Sequence, residues 1–172
     1  MRILSWNINK GGTKRSEDIV NAVLRHRPDI AILSEYVLGS LTIGRGLNAA
    51  GYDTIGATHL SSTSTGMAIF GRLKIDTSSH ELDGLKSRWI TLEVPALQLR
   101  IVAVHVPGVG DKKAGISKAD TWQAILEFAR RQHSESSVII GDLNTGLPKI
   151  DEVGNTFGVR GSVSGAFQHW LH

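Results

Sequence analysis

The chain has 172 residues, 41% of them hydrophobic and 20% charged, which fits one compact globular domain and excludes a disordered or collagen-like chain. Nineteen Lys and Arg against sixteen Asp and Glu leave a net charge of +3, which permits a polyanionic partner without demanding one. The absence of cysteine excludes a disulfide scaffold, a thiolate zinc site and a cysteine nucleophile.

In chain order, Arg2–Trp6 is a short apolar run of strand length, and it opens the chain too briefly for a signal peptide. Ser16 then reads as a helix N-cap, with Glu17 and Asp18 in the first turn. Ile19, Val20, Val23 and Leu24 form one stripe, closed before Pro28. Further strands are expected at Asp29–Ser34, Gly66–Phe70, Trp89–Val94, Leu99–Val106 and Val138–Ile140. Leu99–Val106 is apolar on both faces and so reads as a central strand. A second helix is expected from Ser117 to about Gln132, where Trp122, Ile125, Leu126 and Ala129 recur at helical spacing. Leu47–Ala50 and Val163–Leu171 read as shorter helices, and Ser61–Thr65 and Val109–Gly115 as loops. The order gives a single α/β domain over residues 1–172, with no repeat, linker or membrane-length apolar stretch. A soluble, cytoplasmic protein is expected.

Polar residues cluster where the apolar runs end. Asn7 and Asn9 follow the first, Glu35 the second, His105 stands near the end of the fifth, and Asp142 and Asn144 follow the last. In α/β folds ligands bind at the carboxyl ends of strands, so these residues point to one shared site. Two carboxylates and several amide oxygens without cysteine favour a hard cation such as Mg²⁺ or Mn²⁺. Amide NH₂ groups and an imidazole suit phosphate oxygens. Together they describe metal-assisted hydrolysis of a phosphate ester. Taken singly, each residue also has an ordinary role: a turn for the asparagines, a solvated face for Glu35, a hydrogen-bonded core position for His105. The joint pattern carries the reading.

Six segments, in order, carry a resemblance: RILSWNINKGG from Arg2, RPDIAILSE from Arg27, STGMAIFGR from Ser64, RWITLEV from Arg88, LRIVAVHVPG from Leu99 and VIIGDLNTG from Val138. The chain resembles the endonuclease/exonuclease/phosphatase superfamily, which includes pancreatic deoxyribonuclease, abasic-site endonucleases, sphingomyelinases and inositol-polyphosphate phosphatases. The resemblance implies a two-sheet sandwich flanked by helices, in four α/β/β/α layers, incomplete at the C-terminal end. It implies Glu35 as principal Mg²⁺ (or Mn²⁺) ligand, helped by Asn7 and Asn9, with Asn7 also near the substrate. Asp142 would orient or deprotonate the attacking water, and Asn144 would steady the water or the phosphate. His105 stands where the deoxyribonuclease-like branch has a phosphate-contacting histidine, and Arg72 where basic residues near the substrate are common.

Members of the superfamily continue to a C-terminal Ser-Asp-His motif, and no Asp-His pair follows Asn144 here. The expectation is a C-terminally truncated member, with turnover reduced by the roughly 10²–10⁴-fold that acid–base help contributes. An exposed sheet edge would invite self-association, and a partner or second copy could complete the fold. The function expected is a divalent-metal phosphodiesterase acting on nucleic acid or another phosphoester. The alternative is an impaired member that binds metal or polyanion without turnover. Gly44, Gly46 and Ala49 formally fit a dinucleotide-binding turn, but no continuous strand precedes them, so the match reads as chance.

Overall fold

The structure is a computed structural model that describes residues 1–37, 41–58, 65–78, 88–108, 117–131 and 136–145. Its elements run β1 (Ile3–Asn7), α1 (Ser16–His26), β2 (Ile30–Tyr36), α2 (Leu41–Ala49), β3 (Asp53–Ala57), β4 (Gly66–Gly71), β5 (Asp76–Ser78), β6 (Trp89–Val94), β7 (Leu99–His105), α3 (Lys118–Arg131) and β8 (Ser137–Asp142). One sheet has the order β1-β2-β4-β3 and the other β5-β6-β7-β8. In each, one pair is parallel, β1 with β2 and β7 with β8, and the remaining pairs are antiparallel.

Three apolar layers hold the sheets and helices together. Ile19, Val20 and Val23 of α1 and Ile43 and Leu47 of α2 cover Ala31, Leu33, Ala68 and Phe70 on the outside of the first sheet. Ile30, Ile32 and Ile69 meet Leu92, Val94, Ile101 and Ala103 between the sheets. Ile125, with Trp122 and Phe128, seats α3 on Trp89, Val102 and Val104. The strand period of two sends alternate residues into different layers, so β2 and β7 are apolar on both faces. The four layers α/β/β/α expected from the resemblance are the layers observed, and β7 is an interior strand as its sequence implied.

Several local expectations are corrected. Ser16 opens α1 without capping it. A 3₁₀ turn at Lys10–Arg15 runs directly into the helix, Arg15 takes the N-cap position, and no side chain caps it. Ser117, by contrast, does cap α3: its hydroxyl accepts the Asp120 N–H at 3.1 Å and donates to the Asp120 carboxylate at 2.6 Å. The helix expected at Leu47–Ala50 begins at Leu41, because the two interior glycines that hide its period are packing positions. A Cβ on Gly46 would come within 2.9 Å of Val20, so α2 lies close against α1. Gly44 and Gly46 therefore sit inside a helix, away from any strand-to-helix turn. Strands β3 and β5 were not expected: β3 carries one large apolar residue and β5 has three residues. The expectations for Ser61–Thr65 (Thr65 excepted), Val109–Gly115 and Val163–Leu171, and for the chain's C-terminal end, lie outside the described residues. Among the described residues no helix is long and apolar enough to cross a membrane.

Candidate active site

Because β1 and β2 are parallel, and β7 and β8 are parallel, each pair delivers two carboxyl ends to the same place. The outer strands β1 and β8 are in contact across the sandwich, and the four ends meet there. Asn7 ends β1 and Asp142 ends β8. The Asn7 carboxamide donates to Glu35 Oε1 at 3.0 Å and to Asp142 Oδ2 at 2.7 Å, so one NH₂ group joins carboxylates from opposite sheets. Its orientation is fixed by the Asn9 N–H, which donates to Asn7 Oδ1 at 2.9 Å.

Glu35 was expected to follow its strand, but it lies within it. The β2–β4 register shifts between Ser34 and Tyr36, leaving Glu35 as an unpaired bulge residue with φ 56°. A bulge bends the strand and re-aims one side chain, and here that side chain is the carboxylate. Its second oxygen, Oε2, accepts the Lys10 N–H at 2.8 Å. Lys10 belongs to a left-handed turn in which Asn9, Lys10, Gly11 and Gly12 have φ of 54°, 51°, 73° and 74°. Left-handed backbone costs roughly 1–2 kcal/mol at each non-glycine residue. The Asn7 and Glu35 side chains, which receive the two strained N–H groups, offset that cost. Gly12 has a further constraint, since a Cβ there would fall 2.2 Å from Ile19.

Asp142 is held from below and from beyond. The adjacent Gly141 has φ 156°, and a Cβ on it would lie 1.8 Å from the Val104 carbonyl oxygen, so only glycine brings β8 this close to β7. The Asn144 N–H donates to Asp142 Oδ1 at 3.0 Å, and the Asn144 carboxamide donates to the Val106 carbonyl at 2.6 Å. The Asp142 carbonyl in turn accepts the Val106 N–H at 2.8 Å. His105, 6% exposed, places Nε2 3.8 Å from Asp142 Oδ2, an ion pair when the imidazole is protonated.

The structure thus gathers Asn7, Asn9, Glu35, His105, Asp142 and Asn144 at one end of the sandwich. It does not bring Arg72 there. Strand β4 runs antiparallel to β2, with Gly66 opposite Tyr36 and Gly71 opposite Ile30, so Arg72 leaves the sheet at the far end. There its guanidinium lies 4.2 Å from the centre of the Tyr52 ring and donates to the Ala50 carbonyl. One site residue was missed: Lys118, the first residue of α3, whose ammonium donates to the Asn144 carbonyl. Burial pushes its pKa below the usual lysine value, and the Asp142 charge pulls it partway back. No sequence signal could place it, because the contact joins a helix start to a strand end 26 residues away.

Among the described residues no three His, Asp or Glu side chains form a metal cage by themselves. The Glu35 carboxylate beside the Asn7 carboxamide, with a second carboxylate next to them, is nonetheless an oxygen-bearing setting suited to Mg²⁺, which takes one or two carboxylates and fills its remaining positions with water and phosphate. In that respect the residues present fit the cation expected from the sequence.

A sequence profile of the endonuclease/exonuclease/phosphatase family matches residues 4–158. No curated protein sequence matches the chain. Among solved structures, a truncated TDP2 from Caenorhabditis elegans is similar with a TM-score of 0.64 at 18% identity, over 84% of this chain and 62% of that one. A 3′ phosphatase, NExo from Neisseria, bound to a product DNA hairpin, gives 0.61 at 21%, over 82% and 56%. A mannosyl-6-phosphatase from Bacteroides thetaiotaomicron gives 0.55 at 22%, over 86% and 66%. At these identities the likeness is one of fold, and the chain spans between half and two thirds of these neighbours' length.

Proposed function

The chain belongs to the endonuclease/exonuclease/phosphatase family, and from that premise we propose that it is a divalent-metal-dependent phosphoesterase that hydrolyses phosphodiesters, with nucleic acid as the substrate class. The observation that supports this reading above all others is the Asn7 amide joining Glu35 to Asp142. It holds two carboxylates from different sheets side by side at the carboxyl ends of four strands. The phosphatase bound to a DNA hairpin shares the fold, the net charge of +3 tolerates a polyanion, and His105 is the residue type of the deoxyribonuclease-like branch.

In this reading Glu35, with Asn7 and Asn9, would hold Mg²⁺ or Mn²⁺. When bound, the cation neutralises charge developing on the phosphorus oxygens. Asp142 orients the attacking water and accepts its proton. Asn144 keeps the Asp142 carboxylate in place through its backbone N–H and steadies the water or the phosphate. His105, beside Asp142, donates a hydrogen bond from its imidazole N–H to a phosphate oxygen and stabilises the transition state. The outer strands β1 and β8 pair with no further strand among the described residues, which supports self-association through that edge.

The test is hydrolysis of supercoiled plasmid and of bis(p-nitrophenyl) phosphate with Mg²⁺ or Mn²⁺, with chelator, and with Glu35→Ala. Metal-dependent cleavage that disappears in both controls is expected. A folded chain that is stabilised by metal or polyanion yet cleaves neither substrate would replace the enzyme reading with a binding one.

A further inference from the structure

We propose that Lys118 is a positioning residue for the reaction, the tie by which helix α3 holds the Asp142–Asn144 turn in its working geometry. The inference rests on the phosphoesterase reading for its catalytic consequence but not for its structural content. Asn144 sits in left-handed backbone with φ 47°, a conformation that asparagine tolerates better than other non-glycine residues and that its surroundings can hold in place. Three contacts do so. The Asn144 N–H donates to Asp142 Oδ1, its carboxamide donates to the Val106 carbonyl, and its own carbonyl accepts from the Lys118 ammonium. The first two lie within the second sheet and its strand ends. The third reaches it from the helix layer.

That layer is a firm base. Lys118 immediately follows the Ser117 cap, and α3 is seated by Ile125, Trp122 and Phe128 on Trp89, Val102 and Val104. Strand β8 needs such a base more than β2 does. It is an outer strand whose residues are half-buried or exposed, whereas β2 is flanked by β1 and β4 and buried along nearly its whole length. Lys118 is half-buried, and its positive charge acts on Asp142 as well as on the Asn144 carbonyl. Its charge therefore attracts the carboxylate that orients water while its ammonium holds the backbone of the turn.

The experiment compares the full chain with Lys118→Met and Lys118→Arg, with Glu35→Ala as the control for the reading beneath. Kinetics on bis(p-nitrophenyl) phosphate, thermal unfolding, and hydrogen exchange at the Asn144 amide are measured together. Lys118→Met should lower kcat by about tenfold or more with KM within about twofold, the size found when a group supporting a site residue is removed. It should also speed Asn144 exchange by about tenfold while the helix amides of α3 keep their protection. Lys118→Arg should recover most of both. A rise in KM with kcat preserved would make Lys118 a substrate contact and overturn the proposal, as would unchanged exchange at Asn144. If the wild-type chain and Glu35→Ala are equally inactive, the phosphoesterase reading fails by itself. The exchange data then decide for or against Lys118 as the anchor of the turn.

Discussion

The site is assembled from two strand–helix–strand halves that deliver the same thing by different means. In β1–α1–β2 the carboxylate comes from an interior strand, buried along nearly its whole length, and is aimed by a bulge at Glu35. In β7–α3–β8 it comes from an outer strand, half-exposed with Val138 at 38%, and is aimed by a close glycine crossing and a turn at Asn144. The first half ties its carboxylate to the left-handed turn that follows β1, through the Lys10 N–H. The second ties its turn to the helix itself, through Lys118. Parallel pairing decides where the ends meet. The burial of each strand decides how much additional holding the end requires.

Breaking the link between the halves should have the largest effect. Asn7→Ala leaves two carboxylates facing each other without the NH₂ group between them. On the proposed activity it should cost about 10²–10³-fold in kcat, the range for loss of one preorganised donor. Steady-state kinetics alongside a thermal melt check this, and an equal loss of folded protein would refute it. Next comes the outer strand. Gly141→Ala places a Cβ 1.8 Å from the Val104 carbonyl oxygen, and should destabilise the chain by about 1–3 kcal/mol, typical of forced overpacking. In urea unfolding, a midpoint equal to wild type would show that β8 gives way freely.

A smaller effect tests the interior half through pH. Burial raises the pKa of Tyr36, and a hydrogen bond with the Gly44 backbone partly lowers it again. The folded state therefore keeps the phenol proton at pH values where the unfolded chain has lost it. Stability from this group is fully present below the unfolded value of about 10 and is lost as pH climbs through the higher folded value. Tyr36→Phe should flatten that alkaline decline, measured as the slope of unfolding free energy against pH. The smallest effect is expected at the far end of the sandwich. Arg72→Ala removes a ring contact and one carbonyl hydrogen bond. It should cost no more than about 1 kcal/mol in urea unfolding, and leave kcat and KM unchanged. A change in KM would restore Arg72 to the substrate.

The strand ends were legible because apolar runs stop abruptly at polar residues. Asn7, Glu35, His105 and Asp142 all mark where a run finishes, and the two parallel pairs bring those finishes together. Arg72 misled for the same reason: it also follows an apolar run, but β4 is antiparallel, and pairing direction leaves no trace in a run of Met67, Ala68, Ile69 and Phe70. Glu35 was found as a residue but not as a bulge, since a shift of register is a relation between two strands. Helix α2 was half hidden because Gly44 and Gly46 weaken its local signal, while Gly46 serves its contact with α1 and Gly44 its approach to Tyr36 of β2. Lys118 could not be found at all, because its role exists only once α3 is docked.

The Asn7 amide also has a mechanical consequence. It reaches carboxylates rooted in different sheets, so the spacing of the two negative charges and the separation of the sheets are one coordinate. The layer of Ile32, Ile69, Leu92 and Ile101 between the sheets therefore acts as a shim whose thickness sets the charge pair at the end of the sandwich. Swapping a methyl group in that layer, with no polar atom touched, would retune the spacing of the two carboxylates.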